Sequence, residues 1–292
     1  MGEKHTELPK YWIDYLDEKL PYIREQIALS SPGTDMFMYF TDHHIGAVKY
    51  LVNANNTKNI IDYIHKHTPI KKVFFGGDIL NTVNFQTKEE ASDWLWRFHE
   101  EYINNRDVYP IVGNHEVLTS YNTNGDVMPY NETYMALFKP LEEKLNTNKK
   151  MYYYIDNPST KIRYIILDTE SKVAGSDTEQ YKWFVETLSE LDDEWTALLF
   201  SHSLTTGKGS NMEPIAHGEI FTIIANNYNT RSTGTTSGAN YNFTNAKGTV
   251  SCFIHGHVHS DASGTINDIL AIRCTTDCGG TGNSAPSNRI KG

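Results

Sequence analysis

VSCFIHGHVH, at residues 250–259, joins an apolar run, Val250 to Ile254, to two histidines that one residue separates. Read as the end of a buried strand, the stretch gives His257 and His259 the same parity, so both imidazoles point to one face. The strand rise places them about 7 Å apart, which is too far for the usual site with a single metal. The spacing suits two metals a few ångström apart, with one imidazole on each.

The rest of the chain alternates buried strands with helices, and several of the strands stop at a polar cluster. The predicted strands are 36–40, 73–75, 108–112, 151–155, 162–167, 197–200, 250–254 and 266–272. The predicted helices lie near 47–67, 87–105, 130–145, 177–190 and 213–226. In open α/β sheets, ligands bind outside the carboxyl ends of the strands. The pattern therefore predicts an α/β fold whose strand-end side chains share one crevice.

The segments outside this pattern are expected to be a helical lead-in and a long loop. Residues 9–29 carry an apolar stripe that packs on the domain edge or docks a partner, and Pro21 is expected to split this helix or begin a second one. Residues 119–130 read as a loop, and residues 227–248, rich in Thr, Asn and Gly, read as a longer one that serves as a lid or rim. We expect an N-terminal helical extension over 1–30 and one domain over 31–292. Because only about thirty residues follow His259, a truncated C-terminus is an alternative that the sequence leaves open.

Composition excludes several classes of protein. The 292 residues carry a formal charge of −10 and no basic cluster, which disfavours general nucleic-acid binding. Cys252, Cys274 and Cys278 are too few for a secreted disulfide framework, so a reduced state is expected. With neither a signal peptide nor an apolar run of membrane-spanning length, we expect a cytoplasmic protein with no membrane partner, unless an export signal has been removed.

Eight polar residues follow the apolar strands and form the candidate site. They are Asp42, His44, Asp78, Asn114, His115, His202, His257 and His259. Carboxylates, imidazoles and an amide oxygen suit Mn²⁺, Fe²⁺ or Zn²⁺, and the lack of cysteine disfavours a structural zinc site. The donors are too many for one catalytic metal with an open position, so two metals that share a carboxylate are predicted. Such a site promotes phosphoester hydrolysis.

The order of these blocks resembles the signature of the calcineurin-like metallophosphoesterases. The matching blocks are residues 42–44 (DHH), 77–78 (GD), 113–116 (GNHE), His202 and 256–259 (GHVH), and the resemblance covers roughly residues 35–275. It implies an α/β fold built as a four-layer α-β-β-α sandwich, in which two mixed sheets are flanked by helices.

The resemblance also assigns roles to the candidate residues. It implies that Asp42, His44 and His259 bind the first metal, that Asp78 bridges both metals, and that Asn114, His202 and His257 bind the second. His115 would not be a ligand; it would face the substrate and protonate the leaving group, with Glu116 as a second catalytic residue that orients it. His115 could instead be a ligand or a support for one.

The remaining polar residues near the blocks are expected to play structural roles. His255 shares the parity of His257, but a buried, hydrogen-bonded support role is the expectation. His43 is expected at the surface or behind the ligands, and Asp168 in a turn or cap. Asn81 stands where purple acid phosphatases carry a metal-binding tyrosine, and the Asp-Arg-Gly of Ser/Thr protein phosphatases is missing, which argues against both subfamilies.

We therefore expect a dinuclear phosphoesterase that cleaves a small phosphodiester with metal-bound hydroxide, His115 acting as general acid. The alternatives are a phosphomonoesterase with the same site and a catalytically silent binding module on this fold. The two divalent ions would be Mn, Fe or Zn. A monoesterase needs additional cationic groups, for which Arg231 and Lys247 are the candidates; these residues and Tyr241 could also be substrate contacts or belong to a solvated loop.

Overall fold

The computed structural model describes residues 8–31, 34–45, 51–81, 85, 87–103, 106–117, 128–145, 147, 149–171, 176–205 and 216–275. The helices are α1 Lys10–Leu29, α2 Leu51–His67, α3 Lys88–Phe98, α4 Asn114–Val117, α5 Tyr130–Leu137, α6 Glu142–Leu145, α7 Ser176–Ser189 and α8 Ala216–Asn229. The strands are β1 Phe37–Phe40, β2 Lys72–Phe75, β3 Val108–Pro110, β4 Tyr153–Asn157, β5 Ile162–Ile166, β6 Thr196–Phe200, β7 Thr233–Thr236, β8 Ala239–Asn242, β9 Thr249–His255, β10 Ala262–Ile266 and β11 Ile269–Arg273. Most of the predicted loop 119–130, the start of the predicted helix 47–67, and Cys278 lie outside the described residues.

The strands form two main sheets and a hairpin. The first sheet has the order β1-β2-β3 and is parallel between each described pair. The second has the order β10-β11-β9-β6-β5-β4, with β5, β6, β9 and β11 parallel and the two edge strands antiparallel. The predicted α/β fold with two sheets is confirmed, and within the described residues the second sheet is mixed and the strand pairs of the first are parallel.

Neighbouring phenylalanines in β2 show how the layers stack. Phe74 faces the second sheet, where its ring stacks on Phe200 at 4.3 Å between centroids. Phe75 faces the other way and meets Phe98 of α3 edge-on at 4.8 Å. Side chains of successive strand residues point to opposite faces, so β2 contributes to two packed layers at once. The first sheet therefore lies between helices on one side and the second sheet on the other.

The outer face of the second sheet is covered by α7 and α8. Leu199 and Phe253 on this face pack in one core cluster with Phe184 of α7 and Phe221 of α8. The rings of Phe184 and Phe221 meet at 5.4 Å, and both side chains are fully buried. Together with the first sheet and its helices, this completes the four-layer arrangement that the sequence predicts.

Local sequence explains where some helices begin and continue. The Thr87 hydroxyl caps α3 by accepting the backbone N–H of Glu90, and acidic residues in the first turn favour the same helix end. The prediction that Pro21 divides the lead-in is wrong, because α1 continues through it. Proline removes one hydrogen bond to the carbonyl four residues earlier, and both Pro21 and Asp17 are exposed, so water can satisfy that carbonyl.

The lead-in helix packs on α2. The Arg24 guanidinium donates to the carbonyl of His67, and the Tyr63 hydroxyl donates to Asp17. None of the helices in the described part of the chain combines the length and apolar character that crossing a bilayer requires.

The segment 227–248 contains regular structure where a loop was predicted. Its strands β7 and β8 pair as an antiparallel hairpin. Tyr241 stacks on Phe243 at 5.1 Å, and Phe243 is buried against Tyr228 of α8. The polar composition hid these few aromatic side chains, which are sufficient to anchor the hairpin.

Candidate metal centre

The polar residues at the ends of several strands converge on one crevice. Their strands run parallel within each sheet, so the carboxyl ends of the strands lie on the same side. Asp42 and His44 follow β1, Asp78 follows β2, Asn114 follows β3, His202 follows β6, and His257 and His259 follow β9. The structure brings all seven predicted ligands together.

Four of these residues form what we call the first cation site: Asp42, His44, Asp78 and His259. One donor atom from each lies within 4.8 Å of all the others. The Nε2 of His259 is 3.0 Å from Oδ1 of Asp42 and 3.1 Å from Nε2 of His44. The Nε2 of His44 is 4.0 Å from Oδ2 of Asp78. Two imidazoles and two carboxylates therefore point at one small volume.

The second cation site consists of Asp78, Asn114, His202 and His257. The Nε2 of His202 is 3.2 Å from Oδ2 of Asp78 and 3.1 Å from Oδ1 of Asn114. The same Asn114 oxygen is 2.9 Å from Nδ1 of His257. Asp78 belongs to both sites, and its Oδ2 faces His44 on one side and His202 on the other.

Hydrogen bonds behind the donors leave one atom of each aimed at the crevice. The Nδ1 of His202 lies 2.7 Å from the carbonyl oxygen of Gly76, so a protonated Nδ1 donates to that carbonyl and Nε2 is the ring nitrogen that faces the second site. Oδ2 of Asp42 accepts from the Thr41 hydroxyl and from the backbone N–H of His257, so Oδ1 faces the first site. An imidazole nitrogen and a carboxylate oxygen are what Mn²⁺, Fe²⁺ or Zn²⁺ would bind, and the donor set fits two such ions.

Five of the ligand residues adopt left-handed backbone conformations. Their φ angles are 57° for Asp42, 50° for His44, 51° for Asp78, 70° for His257 and 54° for His259. Such angles are uncommon for residues other than glycine and concentrate at functional sites. Because β9 ends at His255, these turns orient His257 and His259, and the predicted strand parity does not. The prediction that His257 and His259 contribute one imidazole to each site agrees with the structure, but for a different geometric reason.

Two glycines allow the ligand loops to approach each other. A Cβ on Gly256 would lie 2.0 Å from the Thr41 hydroxyl and 2.6 Å from Oδ2 of Asp42. A Cβ on Gly113 would lie 2.0 Å from the backbone nitrogen of Asp78. Contacts this short do not occur for real side chains, so both positions require glycine.

The charges of the site perturb several pKa values. Burial alone would raise the pKa of Asp78, but the neighbouring histidines, His202 foremost, hold it well below its usual value. Burial lowers the pKa of His44 to about 4. The hydrogen bond to Asp42 raises the pKa of His259, although burial opposes it. The two sites thus favour anionic carboxylates, and at His44 a neutral imidazole.

Glu116 has a different place from the one predicted. Its carboxylate is fully buried and accepts three backbone N–H groups, those of Asp78, Leu80 and Gly113, at 3.0, 2.9 and 2.8 Å. Burial and the charge on Asp78 raise its pKa to about 8, although the backbone donors oppose that rise. A catalytic residue would touch the reacting atoms, whereas Glu116 joins the loops after β2 and β3 beneath the sites.

The other histidines of the signature blocks lie at different depths. His115 borders both sites, with Nε2 3.8 Å from Oδ2 of Asp78 and its ring 4.8 Å from that of His44. His43 is fully buried, and its Nε2 is 3.3 Å from the Tyr102 hydroxyl. His255 is also fully buried and faces its neighbouring carbonyl, which fits the predicted support role.

The structure does not bring Arg231 and Lys247 to the cation sites. The Arg231 guanidinium donates to the carbonyls of Tyr228 and Gly248, and Lys247 pairs with Asp192. Both residues lie near Thr249, where β9 begins, whereas the ligands follow its other end. The strand has seven residues and therefore separates the two ends by about 20 Å. The structure therefore places these two cations away from the cation sites, and the rim or lid expected of the rest of the segment stays a prediction.

Some supporting residues were not predicted. Thr41 fixes Asp42, and the buried Glu170 accepts the Thr169 hydroxyl in the loop after β5. Arg273 is fully buried and donates from Nε to the carbonyl of Ser260, next to His259. Asp168 accepts the N–H groups of Glu170 and Ser171, which confirms its predicted use in a turn. A polar residue directly beside a predicted ligand was the available signal for Thr41; no pattern distinguished Arg273.

Comparison with protein families gives one match to this chain. The family model of the calcineurin-like phosphoesterases matches residues 36–261. A search of curated proteins found no match.

Solved structures share the fold at low sequence identity. A dimetal phosphatase from Danio rerio has a TM-score of 0.54 and 14% identity, with 83% of this chain and 87% of that chain covered. GAP50, the anchor in the inner membrane complex of Plasmodium, has a TM-score of 0.49 and 11% identity over 85% of this chain and 74% of its own. The phosphopantetheinyl hydrolase of Mycobacterium tuberculosis has a TM-score of 0.42 and 13% identity over 85% and 92%. The first of these supports the fold alone.

Proposed function

The chain belongs to the calcineurin-like phosphoesterase family, and from that premise we propose that it is a metal-dependent phosphodiesterase. It would hold two divalent cations, Mn, Fe or Zn, and hydrolyse a small phosphodiester. The observation that carries this proposal is the pair of donor clusters that share Asp78. Inactive relatives are expected to lose a ligand or the His115 position, whereas this chain keeps all of them.

The donor residues divide between the two proposed cations. Asp42, His44 and His259 would hold the first cation, and Asn114, His202 and His257 the second, with Asp78 between them. When bound, two cations lower the pKa of a water molecule and neutralise charge on a phosphoryl group. Side chains of the protein would supply the remaining chemistry, which is the protonation of the leaving group.

His115 is the proposed general acid. Its backbone N–H donates to Oδ1 of Asp78 at 2.8 Å, and its ring lies beside His44, which fixes the side chain at the border of the two sites. A proton on its Nε2 could pass to the oxygen of the leaving group. The fold around the histidine supports this role because it is partly exposed to the crevice while its main chain is held.

The charge balance favours a diester over a monoester. A monoester carries nearly twice the charge of a diester and benefits from cationic side chains near the metals. Arg231 and Lys247, the cations that a monoesterase was expected to use, lie away from the two sites, and the ion pairs of Asp42 and Asp78 include those with His259 and His202. The overall charge of −10 further disfavours long polyanions. A small substrate with one phosphodiester group fits these constraints.

The test is hydrolysis of bis-p-nitrophenyl phosphate by the full chain loaded with Mn²⁺. We expect turnover in the wild type and a loss of about 10²–10⁴ in kcat for His115→Ala, the usual contribution of a general acid. Metal content, measured by mass spectrometry, should stay near two ions per chain in that variant. His67→Ala, at the far end of α2, is the matched control and should behave as the wild type.

Three outcomes would contradict the proposal. Loss of metal in His115→Ala would reassign that residue as a ligand. Preference for p-nitrophenyl phosphate would favour the monoesterase. A wild type that turns over no ester with any divalent cation, but binds a partner through residues 9–29, would favour a binding module.

A further inference from the structure

The loop that carries two of the ligands, residues 256–261, crosses the end of β11. This strand lies between β9 and β10 in the second sheet, and its last residue, Arg273, is opposite His255 of β9 and opposite Ala262 of β10. Since β9 ends at His255 and β10 begins at Ala262, the loop has to pass over Arg273. The side chain of Arg273 therefore starts at the base of the ligand loop.

The Arg273 guanidinium joins this loop to the loop that carries His202. The side chain is fully buried. Its Nε donates to the carbonyl oxygen of Ser260 at 2.9 Å, and its Nη1 donates to the hydroxyl oxygen of Thr205 at 3.2 Å. Ser260 directly follows His259, and Thr205 lies three residues after His202. One rigid, planar group thus links a loop of the first cation site to a loop of the second.

Thr275 holds the ligand His259 itself. Its hydroxyl donates to the carbonyl oxygen of His259 at 3.0 Å, and its backbone N–H donates to Oδ1 of Asp261 at 3.0 Å. The side chain of His259 is 44% exposed, whereas those of Asp42 and His202 are 0% exposed, so packing contributes less to its position. Its φ angle is also left-handed, a conformation that persists only where the surrounding contacts impose it.

We propose that Arg273 and Thr275 are positioning residues that hold His259 at the first cation site. Both act through main-chain carbonyl groups, those of Ser260 and His259. This inference rests on the proposed function, because it concerns how firmly the first of the two proposed cations is held.

The positioning role and the charge of Arg273 have opposite effects on cation binding. Removing a group that orients a metal ligand typically weakens metal affinity by about 10–100-fold. A buried guanidinium is also a positive charge, which repels a nearby cation, so its removal would tighten binding if charge were its main effect. The direction of the change in Mn²⁺ affinity therefore distinguishes the two.

The test compares Mn²⁺ binding by the wild type and by Arg273→Met, which keeps an unbranched side chain and removes the guanidinium. Calorimetric titration of the full chain should show one site weakened by about 10–100-fold and the other unchanged. Thr275→Val tests the same role without altering the core, and the loss of one hydrogen bond should weaken the same site by about 2–10-fold. Ile269→Ala is the matched control, because it removes a buried side chain at the other end of β11 and should leave both affinities unchanged.

A second readout identifies the ligand through which Arg273 acts. In a protein that already carries His259→Ala, Arg273→Met should weaken Mn²⁺ binding by less than about twofold further, because residues that act through one another are not additive. A residue that merely stabilises the fold would add its full effect in this background.

These measurements use no substrate, so they separate this inference from the proposed function. A wild type that binds two Mn²⁺ ions but hydrolyses no ester would contradict the proposed function alone, and a wild type that binds no Mn²⁺ would overturn both. Unchanged affinities in Arg273→Met and Thr275→Val, tighter binding by Arg273→Met, an equal loss at both sites, or full additivity with His259→Ala would overturn the positioning role.

Discussion

Gly113→Ala is the substitution that most directly tests the packing of the ligand loops. The new Cβ would lie 2.0 Å from the backbone nitrogen of Asp78, where an ordinary contact needs about 3.4 Å. The loops would have to separate by about 1.4 Å, the difference between these two distances, because the opposing atom is backbone and cannot rotate away.

That separation breaks the support under Asp78. The Glu116 carboxylate, which belongs to the same loop as Gly113, accepts from Asp78 N at 3.0 Å and from Leu80 N at 2.9 Å in the opposite loop, and neither bond survives a shift of this size. A hydrogen bond contributes about 0.5–1.5 kcal/mol net, so we expect the loss of these two bonds to lower the free energy of unfolding by about 1–3 kcal/mol. Displacing a group that orients a metal ligand typically costs 10–100-fold in metal affinity, and Mn²⁺ binding should weaken by about that factor.

Urea unfolding followed by circular dichroism gives the first quantity, and calorimetric titration with Mn²⁺ gives the second. Gly234→Ala is the matched control, because its Cβ would meet side-chain atoms of Tyr241, the hydroxyl at 2.9 Å and the ring at 3.2 and 3.3 Å, and no backbone of a ligand loop. The packing of the loops described above would be contradicted if the free energy of unfolding of Gly113→Ala lay within about 1 kcal/mol of the wild-type value, roughly the energy of one hydrogen bond, and if the variant bound two Mn²⁺ ions as tightly as the wild type.

Two further predictions test the framework that carries the site. Phe74→Ala leaves a cavity between the two sheets and should lower the free energy of unfolding by about 3–5 kcal/mol in urea, whereas Trp96→Ala on the exposed face of α3 should change it by less than about 1 kcal/mol. Asp35 accepts hydrogen bonds from Lys72, Asn157 and Tyr164; burial opposes the shift, but these bonds hold its pKa below the usual 3.8. The contribution of Asp35 to the free energy of unfolding is therefore present above pH 4 and is lost as the pH falls through the folded-state pKa. The free energy of unfolding of Asp35→Asn should therefore depend less on pH between 4 and 2 than that of the wild type. A parallel pH dependence in both proteins would show that Asp35 does not hold the sheets together.

The seven ligand residues could be predicted from sequence because two regularities act together. A short apolar run marks a buried strand, and parallel strands end on the same side of their sheet. Polar residues that follow several such runs, as Asp78 follows Phe74 and Phe75, therefore meet without any knowledge of the loops. The prediction of the ligand residues therefore depends on the order of all the sequence blocks along the chain, and no single block is sufficient for it.

The orientation of the ligands could not be obtained in this way. The parity of a strand gave the correct face for His257 and His259, but the strand had already ended at His255. A left-handed φ angle at each residue turns both side chains toward the cation sites. The residue type, histidine, does not predict that backbone conformation. Tertiary contacts impose it, among them the bond from the His257 N–H to Asp42.

Glu116 and the segment 227–248 were misjudged for related reasons. A glutamate next to His115 suggests a pair, but the helical turn α4 directs the two side chains differently, and Glu116 points to the backbone of the neighbouring loop. Arg231 and Lys247 are cations close in sequence to the ligands of β9, yet a strand lies between them and those ligands. The rim was predicted from the length and polar composition of the segment, and neither property indicates at which end of β9 the two cations lie.

The strained loops explain why the site needs the whole four-layer fold beneath it. A left-handed conformation costs about 1–2 kcal/mol for a residue other than glycine, so the five ligand residues together store about 5–10 kcal/mol. That is comparable to the net stability of an entire domain, and the loops would relax if they were attached to a marginal core. Here Phe74 and Phe200 lock the sheets together directly below the ligands, and the Glu116 carboxylate fixes the backbone of Asp78. The packing of the sheets and loops therefore determines the geometry of the cation sites. For this reason Gly113, a residue with no side chain, should affect metal affinity as much as a group that supports a ligand directly.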